Sequence, residues 1–497
     1  MLARTIAHVF SRRRFFSARH VIWIDQSRRL VVFGSAVAAL VLSAGCTLMP
    51  RGTDAERARL EAQADRYEPP IEQRALPELP SEPTWQDVLH RAFLANGELE
   101  AAYFEWKASF ERIEIASAYP NSNVALGYSY TFSSENMKTF DRMTFSAGFD
   151  TMENLSFPSK VIQQGKVALD ESRAVGERFR AAKFALQERV LSTWADHALL
   201  AERERIEREN LDLLQRVLDT ATSRVQAGGM QEDLLRAEVE YRTAEDALKN
   251  TQAELAATRA MLNGMLSREA QAPLSPPRRL PEPRPVPVDD AALIAAAVDA
   301  NPELAALARQ VEGRADALEL ARLQWIPDIN PSVVFTGGIA QAIGAGIMLP
   351  TTIAEIRGRI KEANSMLRAS EATLRQTHRD RASSYVAALI SLRNAERQAE
   401  LFERRILPAT QRVLDNLRSS YVSGRTSYLD LIDAQRALLD VRLTVAEART
   451  MREKRLAELE RLAGVDIETL FAPTTVNTTS DAAHSTTASA SETIRHD

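Results

Sequence analysis

Hydrophobic positions along this chain follow two periods. In residues 124–132 the even positions are Leu126, Tyr128, Tyr130 and Phe132, and the odd ones are Ala125, Gly127, Ser129 and Thr131. In residues 143–150 Met143, Phe145, Ala147 and Phe149 alternate with Thr144, Ser146, Gly148 and Asp150. A period of two with one apolar and one small polar face predicts a β-hairpin. Almost everything else steps by three and four. Leu211, Leu214, Leu218, Ala221 and Val225 form one such seam, and Leu431, Ala434, Leu438, Val441, Val445 and Ala448 form another. These are seams of paired helices. No proline occurs between Pro158 and Ala227, so a single helix there would reach roughly 100 Å at 1.5 Å per residue.

The elements recur in one order. A helix is expected from near Thr84 to Ala118, stopped by Pro120, then the hairpin, then the long helix over 158–227. A glycine turn and a returning helix to about Leu266 complete the first set. The second set has a helix over 290–325, short strands near 331–337 and 340–348, and a long helix over 352–422 disturbed at Pro408. Its returning helix covers 427–463. The alternation in the second strand pair is weak around Gly337, Gly338, Gly344 and Gly346, and those strands are expected to be short.

The order recurs because the sequence does. Gln215-Arg-Val-Leu-Asp219 returns as Gln411-Arg-Val-Leu-Asp415, and Ala95-Asn-Gly-Glu-Leu99 as Ala300-Asn-Pro-Glu-Leu304. Such a repeat is far longer than a solenoid unit and marks a duplicated half-protein. The expected divisions are a signal peptide (1–45), an extended linker (46–81), a first repeat (82–270), a Pro-rich linker (271–288), a second repeat (289–465) and a disordered tail (466–497).

Composition narrows the function classes. The 497 residues are 26% charged and only 6% aromatic, which suits long helices. A net charge of −5 gives no nucleic-acid footprint. The seven histidines are scattered without metal-ligand spacing, and no glycine-rich phosphate loop precedes a helix. Neither a catalytic constellation nor a cofactor site is expected, and Met137, Met143, Met152 and Met348 are read as barrel-surface apolar residues. The single cysteine excludes an intramolecular disulfide. It closes Leu42-Ser-Ala-Gly-Cys46 after a basic flank and a short apolar run, the form of a bacterial lipobox. Cys46 is therefore expected to become the lipidated N-terminus, and Thr47, which is not Asp, favours outer-membrane sorting.

Two alternating hairpins on an exported chain set a closure problem. Every strand in a bilayer must be paired, so a spanning sheet has to close. Four strands cannot close, since eight is about the smallest barrel known. Several chains must share one barrel, and three supply twelve strands.

Over about 82–465 the chain resembles the outer-membrane efflux proteins of the TolC type. The duplication, the two hairpins and Tyr421-Val-Ser-Gly424-Arg-Thr-Ser-Tyr-Leu-Asp430-Leu-Ile-Asp433-Ala-Gln435 carry the likeness. It implies a mostly α fold with transmembrane β: long duplicated α-helical hairpins plus two β-hairpins, as a homotrimer with a 12-stranded β-barrel and a periplasmic α-barrel. It implies a passive outer-membrane conduit docked on a periplasmic adaptor and an inner-membrane pump. Alternatives are a structural coiled-coil envelope lipoprotein and a duct for type I protein secretion. Gly228, Gly229 and Gly424 would form the adaptor-contacting tips. Asp430 and Asp433 share a helix face and would form rings of carboxylates at the periplasmic gate. The resemblance gives Tyr421 and Arg425 the locking of the closed tips, with Glu232 or Asp233 as partners. Two departures stand out: Asp233 follows Gly228 by five residues rather than six, and Arg425 comes one position early.

Overall fold

The structure is a computed structural model. It describes residues 47–118, 124–132, 138–149, 156–228, 230–280, 282–286, 289–336, 340–423 and 425–467, with backbone alone at 124–126, 146–149, 296, 298–299, 330–336, 340–345 and 422. Cys46, Gly229, Gly424 and residues 468–497 of the expected tail lie outside the described residues, whereas its first two are ordered: Asp466 accepts from Gln187 and Ile467 is buried in the core of the second repeat.

Each repeat contributes two short helices, a β-hairpin and a long helical hairpin. In the first these are α2 (Trp85–Ala95), α3 (Gly97–Ser117), β1 (Val124–Tyr130), β2 (Met143–Phe149), α4 (Pro158–Gln226) and α5 (Gln231–Met265). In the second they are α6 (Asp290–Ala300), α7 (Pro302–Leu323), β3 (Asp328–Thr336), β4 (Ala340–Met348), α8 (Ile353–Leu401), α9 (Leu407–Val422) and α10 (Tyr428–Ala463). A further helix, α1 (Thr53–Tyr67), precedes both.

The four strands form one antiparallel sheet in the order β1-β2-β3-β4. In the first hairpin the register sets Leu126 opposite Ala147, Tyr128 opposite Phe145 and Tyr130 opposite Met143. The apolar sets of the two strands thus share a face, and the Tyr128 and Phe145 rings meet at 5.2 Å while both remain exposed. The second hairpin corrects an expectation. It is the longer one, with nine residues per strand and unbroken pairing from Asp328–Met348 to Thr336–Ala340. Its glycines blur the side-chain alternation without interrupting the backbone ladder. Pro331, which has no N–H, stands just past the end of the β2–β3 pairing.

Three further expectations are revised. The segment 46–81 is not an extended linker throughout. Residues 53–67 are free of Pro and Gly and rich in Ala, Arg and Glu, and they fold as α1. This helix lies along α3, with buried Glu56 accepting from Trp106 Nε1 (2.9 Å) and Tyr67 donating to the Phe93 carbonyl (3.1 Å). Second, the helices expected over 84–118 and 290–325 are each two. The break is the asparagine of the repeated phrase. Asn96 Oδ1 accepts from Glu98 N and Leu99 N, and Asn301 Oδ1 accepts from Leu304 N, so each caps a new helix. Their amides repeat a second contact: Asn96 Nδ2 donates to the Met265 carbonyl and Asn301 Nδ2 to that of Leu462. Each asparagine therefore ties its short helix pair to the end of the returning helix. Third, the Pro-rich linker 271–288 is a pinned strap. Arg284 pairs with Glu453 (3.1 Å) and Glu460 (2.9 Å), its own carbonyl accepts from Arg452, and its guanidinium lies over the Trp85 ring.

The disturbance at Pro408 takes the form of a π turn over Phe402–Ile406. One extra residue in the turn relieves the clash between the proline ring and the preceding carbonyl, so α8 runs on into α9. The first repeat has Asp212 at the corresponding place, and α4 continues through 69 residues.

Three apolar clusters hold the fold. One gathers Tyr103, Trp106, Phe110, Phe179 and Leu186 of the first repeat, and one Leu293, Tyr385, Leu392 and Leu456 of the second. The third lies at the far end, where Leu214 and Ala221 of α4, Ala237 of α5, Leu414 and Tyr421 of α9 and Tyr428 and Leu431 of α10 converge.

Candidate functional site: the hairpin tips

The third cluster is where both helical hairpins turn. Gly228 ends α4 with φ +95°, a left-handed conformation that a side chain disfavours. Met230 follows, 73% exposed. In the second hairpin Ser427 starts α10 with a capping box. Its Oγ accepts from Asp430 N (3.2 Å), and the Asp430 carboxylate accepts from Ser427 N (3.3 Å) and Oγ (2.7 Å). Asp430 thus has a structural duty that the spacing Ser427-x-x-Asp430 could have announced. Asp433 lies one turn on, 61% exposed, with its nearest cation Arg436 at 3.7 Å. Both aspartates remain on one edge of α10 beside the turn.

Tyr421 is buried at the end of α9. The Arg224 guanidinium, at the end of α4, lies 4.1 Å from its ring centroid and donates from Nη2 to the Tyr421 carbonyl (2.8 Å). One arginine therefore joins the two hairpins at their tips. Tyr428 packs at 6.3 Å from Tyr421, and its hydroxyl finds no hydrogen-bond partner among the described residues. Burial first, then the nearby Glu240, raises the Tyr428 phenol to about 12, while burial moves Tyr421 upward too.

The expected locking contacts take another form within one chain. Arg425 donates from Nε to Ser423 Oγ (3.0 Å), and Glu232 pairs with Arg236 on its own helix. Among the described residues no hydrogen bond or ion pair joins Arg425 to Glu232 or Asp233. The links between hairpins come from Arg224, from Arg436 bridging to Glu240 of α5, and from Arg442 paired with Glu209 of α4 at 2.6 Å. Sequence reasoning missed all three. A partner 196 positions away leaves no local spacing to find, although Arg436 and Glu240 are one repeat length apart.

Above this plug, the pairs Lys454–Asp196 (2.9 Å) and Arg461–Glu188 (2.6 Å) continue the α4–α10 seam. A curtain of long helices hangs below a four-stranded sheet, and both have edges without partners among the described residues. β1 and β4 each pair on one side only. On the helical edge Leu235 and Val239 of α5 are exposed, as is Ile390 of α8.

Residues 293–465 match the family described as outer membrane efflux protein. The matched stretch lies within the second repeat, and the chain as a whole shares its fold with solved structures. A membrane protein from Pseudomonas aeruginosa is similar with a TM-score of 0.66 at 18% identity, covering 79% of this chain and 97% of that one. The outer membrane protein VceC from Vibrio cholerae is similar with a TM-score of 0.64 at 16% identity, covering 77% and 97%. The MtrE outer membrane channel of Neisseria gonorrhoeae in its open state gives 0.59 at 18%, covering 85% and 99%. No curated protein matches the sequence.

Proposed function

We propose that this chain is the outer-membrane channel of a tripartite efflux system, closed by three copies into a shared twelve-stranded barrel above a helical tunnel. The open sheet carries this reading: four paired strands with two unpaired edges are stable in a bilayer only when other copies complete them. A purely structural coiled-coil lipoprotein would have no use for the sheet. The tunnel is a passive conduit, and an adaptor and an inner-membrane pump would meet the tips at Gly228, Gly229 and Gly424.

Cys46 is the lipid-bearing residue in this reading. Leu48 N donates to the carbonyl of Ser117, the last residue of α3, seven residues before β1 begins at Val124. The chain thus starts its described course at the membrane end of the helices, where an acyl anchor would have to be. Mass spectrometry of the mature N-terminus should find a triacylated Cys46.

The tips form the gate. Six carboxylates from Asp430 and Asp433 would surround a narrow mouth and attract cations, while Arg224 and Tyr421 hold the hairpins together. Planar-bilayer recording tests this. Asp430→Asn with Asp433→Asn keeps the cap's hydrogen-bonding capacity and removes the charge. The pair should reduce cation selectivity and block by multivalent cations, and Arg224→Ala should raise conductance. Channels with unchanged selectivity and block in the double variant would make these aspartates a solvated helix face.

A further inference from the structure

The two repeats differ in one respect on the wall surface that α1 covers. On α4 this surface carries Lys166, Arg173 and Arg180, with acids between them: Arg173 pairs with Asp170 (3.1 Å), and Glu177 receives Arg59 of α1 (2.7 Å) and lies 3.6 Å from Arg180. Counted from the helix starts at Pro158 and Ile353, the corresponding residues of α8 are Lys361, Arg368 and Arg375. The cations are kept and the acids are gone, since Ser365 stands for Asp170 and Ala372 for Glu177. Arg357 and Arg379 extend the row. Steps of four and seven place all five on one face of the helix. All are exposed, and none of their side chains has a hydrogen bond or ion pair among the described residues, although the Lys361 carbonyl accepts from Ser365 Oγ. One acid of α8, Glu371, has the spacing to reach the row, three after Arg368 and four before Arg375, but no ion pair joins it to either among the described residues.

The opposite charge lies on α1. Its inner face is Glu56, Leu60 and Tyr67, packed on α3 and α4. Asp54, Glu61 and Asp65 follow the flank turned away from α4. Asp54 is fully exposed with Arg57 at 3.7 Å, and Glu61 and Asp65 are exposed without partners among the described residues. The level of this flank can be read from α4. A Cβ on Gly52 would meet the Arg173 guanidinium, and the Tyr67 ring contacts that of Phe179. The helix therefore spans the heights of Arg173 to Phe179, which on α8 are those of Arg368 to Leu374.

Within one chain the wall at this height runs α3, α4, α7, α8. Ring closure puts α3 of the next copy beside α8, with its α1 on the same surface. From this juxtaposition we infer that the acidic flank of α1 in one copy docks on the Lys361–Arg368–Arg375 row of α8 in the next, so that the N-terminal helix is an intersubunit clamp. The second repeat lacks a covering helix of its own, and the neighbour's α1 supplies both the cover and the missing acids. The inference rests on the ring closure proposed above.

Two experiments on the full-length, membrane-extracted protein decide it. Glu61→Cys combined with Arg375→Cys should give oxidant-dependent oligomers on a non-reducing gel, whereas either single variant gives only what Cys46 itself allows. Arg368→Glu with Arg375→Glu should lower the temperature at which the oligomer dissociates by several degrees, and Asp54→Arg with Glu61→Arg in the same chain should restore it. If the protein remains a trimer while the cross-link fails and the reversal has no effect, the clamp is wrong and the channel reading stands. If the wild-type protein is a monomer in mild detergent, ring closure fails, and the clamp with it.

Discussion

Glu460 is an acid buried in an ionic cluster of the second repeat. It is 1% exposed, held by Arg284 at 2.9 Å and flanked by Gln187 and Asp466. Burial is the strongest influence and moves its carboxyl up to about 7, with Arg284 pulling the other way. The sign for stability follows. An acid whose pKa is higher folded than unfolded ionises first in the unfolded chain, so stability falls as pH rises between the two values. For Glu460 that window runs from its ordinary 4.5 to about 7. Thermal unfolding from pH 5 to 7 should show the wild type losing stability relative to Glu460→Gln, and the two profiles should run parallel above pH 8. Parallel profiles throughout would mean that Arg284 fully compensates the buried charge. The tip residues teach the same lesson at closer quarters. The motif around Gly424 was legible, and Asp430 and Asp433 do lie beside the turn. The side chains that join the hairpins, Arg224, Arg436 and Arg442, were not legible, because their partners belong to a different helix and only folding brings them within reach.

Among the elements, the long hairpins were the easiest to read. A proline-free run with a 3-4 seam admits little besides a helix, and the helices break between Gln226 and Gln231 and between Val422 and Tyr428, the stretches that hold the turn glycines. Pro408 was rightly seen as a disturbance, and the π turn shows how the helix survives it. The boundaries that failed were short-range capping decisions. Asn96 and Asn301 were seen as repeat markers, while their work as N-caps went unread. Replacing either by Ala removes a cap and also the link to the returning helix. Each should cost on the order of 1–2 kcal/mol, observable as a lower denaturation midpoint by circular dichroism. A loss at only one of the two sites would contradict their equivalence. The helix α1 was missed for a different reason. The prolines that follow it, Pro69, Pro70, Pro77 and Pro80, coloured the reading of the whole segment, although residues 53–67 contain none.

At the scale of the molecule, sheet and curtain share one defect, a pair of edges that nothing among the described residues covers. The sequence already implied closure by copies through the count of four strands. What it left open was how the second repeat enters the sheet. β2 pairs with β3 across the repeat boundary, and Asp328 at the start of β3 holds Lys160 of α4 at 2.7 Å, so the two halves arrive as one continuous sheet. Only β1 and β4 are left to meet neighbours. The central claim, that three copies share one barrel, is tested most directly by single-particle electron cryomicroscopy of the membrane-extracted protein in nanodiscs. The account predicts a three-fold particle with twelve strands, in which β4 of each copy pairs antiparallel with β1 of the next above a continuous helical tube. A particle with any other number of chains around the barrel, or one whose strands lie outside the bilayer, would contradict it.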